Sequence, residues 1–409
     1  AAALDDVRRA ADRLPLVGVT SGHRARAVRS STPGVRADEM SRLVKRAADA
    51  VHGVPCPFHV SAARNYLADL EGELADAEGV ERGRDRAVRS ARSRLAQAAY
   101  CVRQALQFAD VDGDLAAYRP TFAPTYTGRL TEAGGFQSAP RALKRRVWEP
   151  LERSHGLVNY DLKSSQPTAL VQLFREADAD PAFLHRYIAS DRADLAREAF
   201  GSRDDVVVEL YKTCVIALFM GAQLPSPSAF RRLVPIEFAD LQDDVERRRL
   251  QRTPDIAKSI WGVYGITDYG DPWDEAGQAL ERFREHVTAF DRERKAWLRY
   301  ITGPYLEAHA TGGGSGGGRV VANATGSLLR LKGLSPSKLR RKLAAHLLQG
   351  LEAEFIHRLT LLGAEYGFVA VSNQHDGLVT QGEVPEAAVE QARAESALEV
   401  ADLVVKPYE

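Results

Sequence analysis

The hydrophobic pattern of the chain alternates between long helical periods and a few short apolar runs. From Ser61 to Asp110 the chain is rich in Ala, Leu, Arg and Glu, with a break near Gly79, which predicts a mostly helical region over residues 1–118. Residues 204–222 predict a second helix, with Asp204 and Asp205 at its start and a broad apolar face in VVVELYKTCVIALFM. A third is predicted from Pro336 to Leu362. Ser335 is its cap, Gly363 its stop, and Leu339, Leu343, Leu347, Leu351, Phe355 and Leu359 form its core stripe.

Between these lie segments of another texture. Tyr118 to Pro140, rich in Pro, Thr, Gly and aromatics, predicts short strands and turns. GLVNYDL reads as a buried strand ending at Asp161, followed at once by a helix that Ser164 or Ser165 caps and Pro167 opens. FVAVSNQHDGLVT reads as a β-hairpin whose Asp-Gly pair makes the tight turn, presenting Asp376 at the tip. Residues 223–310 are helix-rich without a clear pattern, and Thr311 to Gly318 is a glycine-rich linker of engineered regularity.

The chain has 409 residues, 44% hydrophobic and 27% charged, enough for two or three packed subdomains. No apolar run of about 18 residues predicts a membrane span, and the charged opening AAALDDVRRAADRLP does not read as a signal peptide. The three cysteines (Cys56, Cys101, Cys214) have neither disulfide nor zinc spacing, so a reduced, cytoplasmic protein is expected. Basic and acidic residues balance at 55 each. That argues against a simple basic coat protein, while a local positive channel stays open. Arg82, Arg84, Arg86, Arg89, Arg92 and Arg94 form either a solvated helix face or a phosphate-tracking one.

Two carboxylates at strand ends, far apart in sequence, are what two-metal phosphoryl transfer needs, and a lysine on an intervening helix would neutralise triphosphate oxygens. Asp161, Asp376 and Lys212 can supply that set. Taken singly, the plainer readings are a helix cap for Asp161 and a turn residue for Asp376.

Five blocks, in order, resemble the family A DNA polymerases over most of the last ~290 residues. The first is Thr127-Gly128-Arg129-Leu130 followed by Gln137-Ser138-Ala139-Pro140. The second, Tyr160-Asp161-Leu162-Lys163-Ser164-Ser165-Gln166, is similar to motif A, with Gln166 where the family has a sugar-gating Glu. The third runs from Lys212 to Met220-Gly221 with the spacing of motif B; Met220 replaces a Tyr, Val208 stands where an Arg is usual, and Ile216 takes the place of an aromatic. The fourth is Gly318-Arg319-Val320, then Arg341 eight residues before Gln349-Gly350. The fifth, Gln374-His375-Asp376-Gly377, resembles motif C with Gly377 in place of Glu, a loss shared with phage-type single-subunit RNA polymerases.

The resemblance implies an α+β right-hand polymerase fold. Residues 1–118 would be a reduced helical thumb-like region and 119–190 the first part of an antiparallel-sheet palm. Residues 191–320 would be helical fingers, and 321–409 the second part of the palm. It implies two Mg²⁺ ions, with Mn²⁺ as substitute, held by Asp161, Asp376 and the Leu162 carbonyl. Lys212, Gln166, Ile216, Met220 and Gly221 would bind the nucleoside triphosphate, and Arg129, Gln137, Arg341, Gln349 and His375 a primer-template. The expected partners are nucleic acid and nucleotides, with no membrane. Template-directed synthesis without proofreading and with low processivity is expected. Gln166 and Met220 predict weak exclusion of ribonucleotides. A primase or RNA polymerase on the same palm, and a non-catalytic nucleic-acid-binding palm, are the alternatives.

Overall fold

The computed structural model describes residues 41–78, 85–133, 135–226, 255–264, 272–310, 320–331, 333–398 and 400–408. It divides into two compact units: Ala1–Lys163 with Val321–Leu329 and Gln349–Glu409, and Ser164–Val320 with Arg330–Leu348. The boundaries expected after residues 118 and 190 therefore fall inside the first and second units respectively. The Thr311–Gly318 linker, Gly318-Arg319, Arg82 and Arg84 lie outside the described residues.

In the first unit, the region expected to be helical also carries three strands. Helices Arg42–Val51, Val60–Glu78 and Asp85–Gln107 are joined by a sheet of Cys56–His59, Leu115–Tyr118 and Ala109–Asp112, with Leu115–Tyr118 in the middle. Each strand is four residues long, too short for an alternation to stand out against the helices around it. Gly113-Asp114 makes the two-residue turn between two of them, with Gly113 at φ 60°. Arg92 and Arg94 of the arginine run pair with Glu78 and Glu73, each at 2.7 Å, on the neighbouring helix.

This sheet shares its core with later parts of the chain. Phe58, Phe136, Trp148 and Tyr408 form a chain of ring contacts, two edge-to-face and the last tilted, with centroids 5.0, 5.7 and 5.6 Å apart along it. Such contacts contribute about 0.5–1.5 kcal/mol each beyond the area they bury. They tie residues 41–118, the helix Arg141–Trp148 and the C-terminal tail into one hydrophobic cluster.

The second sheet of this unit is antiparallel, in the order Leu403–Val405, Leu157–Leu162, Gly377–Gln381, Val369–Asn373. The strand ending near Asp161 and the hairpin after residue 368 are thus neighbours, though far apart in sequence. A separate hairpin pairs Thr121–Pro124 with Leu130–Ala133, as the turn-rich texture predicts.

The helix Pro336–Tyr366 opens on Ser335, whose Oγ accepts from Lys338 N at 3.5 Å. It does not stop at Gly363. A Cβ there would sit 2.6 Å from the Phe368 carbonyl, so this glycine serves a close approach inside the helix. Gly367, at φ 80°, ends it.

The second unit is helical around stacked aromatics, among them Phe183–Phe290 at 4.8 Å and Phe200–Phe283 at 5.2 Å. Its helices include Ser165–Glu176, Arg192–Phe200, Asp205–Phe219 and Pro272–Ala310. Ser164 holds the cap position of the first but does not cap it with its side chain. It lies at φ 49°, and its Oγ instead accepts from Arg192 at 3.2 Å.

Candidate active site

Asp161 lies opposite Gly377 in the antiparallel register, and Leu162 N donates to the Asp376 carbonyl at 2.9 Å. The two aspartates are therefore brought together at one end of the central strand pair. Burial, and after it the negative charge of Asp376, holds the Asp161 carboxyl above the usual carboxylate range; Lys406 and Arg141 pull the other way. A pair of carboxylates that repel each other, both hard oxygen donors, suits a divalent cation such as Mg²⁺. The Leu162 carbonyl follows directly in the chain. Among the described residues no cluster of three or more His, Cys, Asp or Glu side chains supplies a larger set, so backbone and phosphate oxygens would complete the coordination.

The turn that carries Asp376 differs from the expected Asp-Gly turn. Gln374, His375 and Asp376 form the loop, with Gln374 N donating to Gly377 O at 2.9 Å, and the left-handed residue is His375 at φ 74°. Asn373 Oδ1 accepts from His375 N at 3.0 Å and steadies it. Gly377 is required for another reason. A Cβ there would come 2.2 Å from the Tyr160 carbonyl oxygen and 3.2 Å from Asp161 Cα. The imidazole of His375 is pushed down to about 4 by burial and then by Arg129, with Asp376 opposing, so it is neutral at pH 7.

Arg129 pairs with Glu352, whose side chain is fully buried. The turn before it is clamped. Gly128, at φ 84°, has no room for a Cβ beside Thr325 Oγ1, and its carbonyl accepts from His357 Nε2 at 2.8 Å. Gln137 uses its whole amide inside the protein: Nε2 donates to Leu130 O (3.0 Å) and Asn373 O (2.7 Å), and Oε1 accepts from Glu132 N (2.8 Å). It fastens the Leu130–Ala133 hairpin to the strand that leads into the Asp376 turn. Gln349 lies on the long helix, one turn before Glu352.

The remaining residues belong to the second unit. Lys212, Ile216 and Met220 follow one another at helical spacing along and just past Asp205–Phe219. Lys212 Nζ donates to Glu209 at 2.6 Å and stays partly exposed, and Ile216 is an exposed apolar residue. Gly221, at φ 80°, faces Arg341; a Cβ there would meet Arg341 Cα at 3.5 Å. Gln166 is in the first turn of its helix, and its Oε1 is buried without a partner among the described residues.

Three residues here had no sequence signal. Lys406 pairs with Asp161. Glu352 holds Arg129. Lys144 donates from Nζ to Gln137 O (2.8 Å) and Gln374 Oε1 (2.5 Å). Burial pushes the Lys144 ammonium down to about 8, against the attraction of Glu132. Because the folded value lies below the ordinary 10.5, the unfolded chain binds more protons between these pH values. The stability Lys144 contributes is present above the ordinary value and lost as pH falls through about 8. The denaturation midpoint of the wild type should therefore rise relative to that of Lys144→Met from about pH 8 to pH 10; a difference constant over that range would contradict it.

No protein-family model and no curated protein sequence matches the chain. Among solved structures it is similar to the POL domain of Pol1 from M. smegmatis, determined in complex with DNA primer-template and dNTP. The TM-score is 0.54 and the identity 14%, covering 90% of this chain and 69% of that one. The chain has the fold of a DNA polymerase domain. None of the described helices is long and apolar enough to cross a membrane.

Proposed function

We propose that the chain is a template-directed nucleic-acid polymerase of the family A type, adding nucleotides to a 3′-hydroxyl without proofreading. The observation that carries this is the pairing of the Asp161 strand with the strand after Asp376, which brings the two aspartates to the same end of one sheet. The likeness of fold to a polymerase domain agrees with it.

In this reading the four-stranded sheet is the palm, formed by residues 119–190 and 321–409, residues 191–320 are the fingers, and 1–118 a reduced thumb. Asp161, Asp376 and the Leu162 carbonyl would hold two Mg²⁺ ions, or Mn²⁺. Bound there, the metals supply Lewis-acid activation of the 3′-hydroxyl and neutralise the pyrophosphate that leaves. Lys212 neutralises the β and γ phosphates. Gln166, Ile216, Met220 and Gly221 form the sugar and base side of the nucleotide pocket. Arg129, Arg341 and Gln349 hold the primer-template through groove acceptors that every base pair shares. His375 and Gln137, proposed for the same nucleic-acid contacts, also shape the Asp376 turn and anchor the strand that leads into it.

Nucleotide incorporation measured with and without primer and template, in Mg²⁺ and in Mn²⁺, tests the reading. Template-dependent extension supports it. Tight nucleic-acid binding with no incorporation of either nucleotide type would instead favour the non-catalytic palm.

One observation favours ribonucleotide use, by a primase or RNA polymerase on the same palm. The unpartnered, buried Gln166 Oε1 is an acceptor that a 2′-hydroxyl can satisfy. Gln166→Glu is expected to raise the preference for deoxyribonucleotides about tenfold, read as the ratio of kcat/KM for the two sugars. An unchanged ratio would remove Gln166 from sugar choice.

A further inference from the structure

Near the C-terminus, a strand of three residues carries Lys406 to the candidate metal site. Leu403, Val404 and Val405 pair with Leu162, Asp161 and Tyr160. The pairing continues past the strand: Lys406 N donates to Asn159 O at 2.9 Å, and Asn159 Nδ2 to Pro407 O at 3.2 Å. Tyr408, almost fully buried, then docks its ring on Trp148 at 5.6 Å. The backbone on both sides of Lys406 is thus fixed. Its ammonium pairs with Asp161 Oδ2, while its side chain remains 47% exposed and Asp161 25%.

A tethered cation on the carboxylate expected to bind a metal has a definite consequence. We propose that Lys406 is a resident counter-ion of Asp161: it neutralises the carboxylate while no metal is bound, and has to swing out to solvent when a divalent cation arrives. The inference rests on the metal-binding role given to Asp161 above. Three features support it. Lys406 shares the acidic oxygen that a metal would need. Its exposure leaves the side chain free to move. Its backbone is anchored, so the displaced ammonium stays close and competes again. Lys406 therefore sets the cation concentration at which the site fills, guarding the two neighbouring carboxylates from repelling each other before it does.

Binding of Mn²⁺ alone to the full chain, followed by electron paramagnetic resonance of the free ion, tests this without any reaction. Lys406→Met, which keeps the length and removes the charge, is expected to bind Mn²⁺ about three- to tenfold more tightly than the wild type, the range for losing one partly exposed competing charge. Lys406→Arg should keep the wild-type affinity, and in an Asp161→Asn background Lys406→Met should have no effect. Thermal denaturation of the same variants separates a loosened tail from a lost competitor: tighter binding by Lys406→Met at an unchanged midpoint is a lost competitor, and a lowered midpoint is a loosened tail. If wild-type Mn²⁺ binding depends on Asp161 but is unchanged in Lys406→Met, the counter-ion role is overturned and the polymerase reading stands. If binding does not depend on Asp161 at all, the metal site itself fails and this inference with it.

Discussion

Gly377→Ala is expected to lower the stability of the chain by about 3 kcal/mol, the range of a core position forced to accept an atom it has no space for. The new methyl would lie 2.2 Å from the Tyr160 carbonyl oxygen. Both obstacles it meets, that oxygen and Asp161 Cα, are backbone of the paired strand, so no side chain can rotate away. Only separation of the two central strands relieves the overlap, and those strands carry Asp161 and Asp376. The substitution should therefore reduce metal-dependent activity along with stability. Gly72→Ala is the control. Gly72 lies in the exposed part of the helix Val60–Glu78 with nothing within 4 Å of an added Cβ, and its replacement should stabilise by up to about 1 kcal/mol. Denaturant midpoints of the two variants decide the matter; a Gly377→Ala protein within about 0.5 kcal/mol of wild type would show that the strands do not pair so closely. In the proposed family A reading, the same contact explains why Gly377 stands where motif C has a glutamate: a side chain after Asp376 has no room for its first carbon in this register.

Asp161→Asn and Asp376→Asn are each expected to reduce nucleotide incorporation by on the order of 10³-fold or more while leaving the fold and nucleic-acid binding intact. Each keeps the shape of the side chain and removes the charge. Stability should not fall in Asp161→Asn, because the cost of burying the charge and the repulsion by Asp376, which together raise this carboxyl, disappear with it. The ammonium it leaves behind, Lys406, is half exposed and can turn to water. Primer extension alongside circular dichroism and a binding assay separates lost chemistry from lost structure. Activity within about tenfold of wild type in either variant would contradict the assignment.

Much of the local architecture is legible along the chain because it rests on local patterns. The run ending at Asp161, the hairpin around Asp376 and the start of the long helix at Ser335-Pro336 each follow from side-chain period, caps and turn residues. Features that depend on a remote partner were not legible. The three strands within residues 41–118 are short, and Cys56–His59 reaches its partner Leu115–Tyr118 only across two helices, so periodicity within the segment points to helix instead. Gly363 looks like a helix stop until Phe368 is seen packed against it. The resemblance implies a primer-template contact for Arg129 and Gln137, but nothing in the sequence shows that one pairs with a buried glutamate and the other holds two strands together. Lys406 had no signal: a lysine in LVVKPYE is unremarkable until the last strand lies alongside Asp161.

The most direct test of the central assignment is the position of Mn²⁺ in crystals of the chain soaked with the ion, read from its anomalous scattering. The account predicts a peak within coordinating distance of both Asp161 and Asp376, with the Lys406 side chain turned away. An ion bound elsewhere, or two carboxylates that stay unliganded at saturating Mn²⁺ with Lys406 still on Asp161, would contradict it.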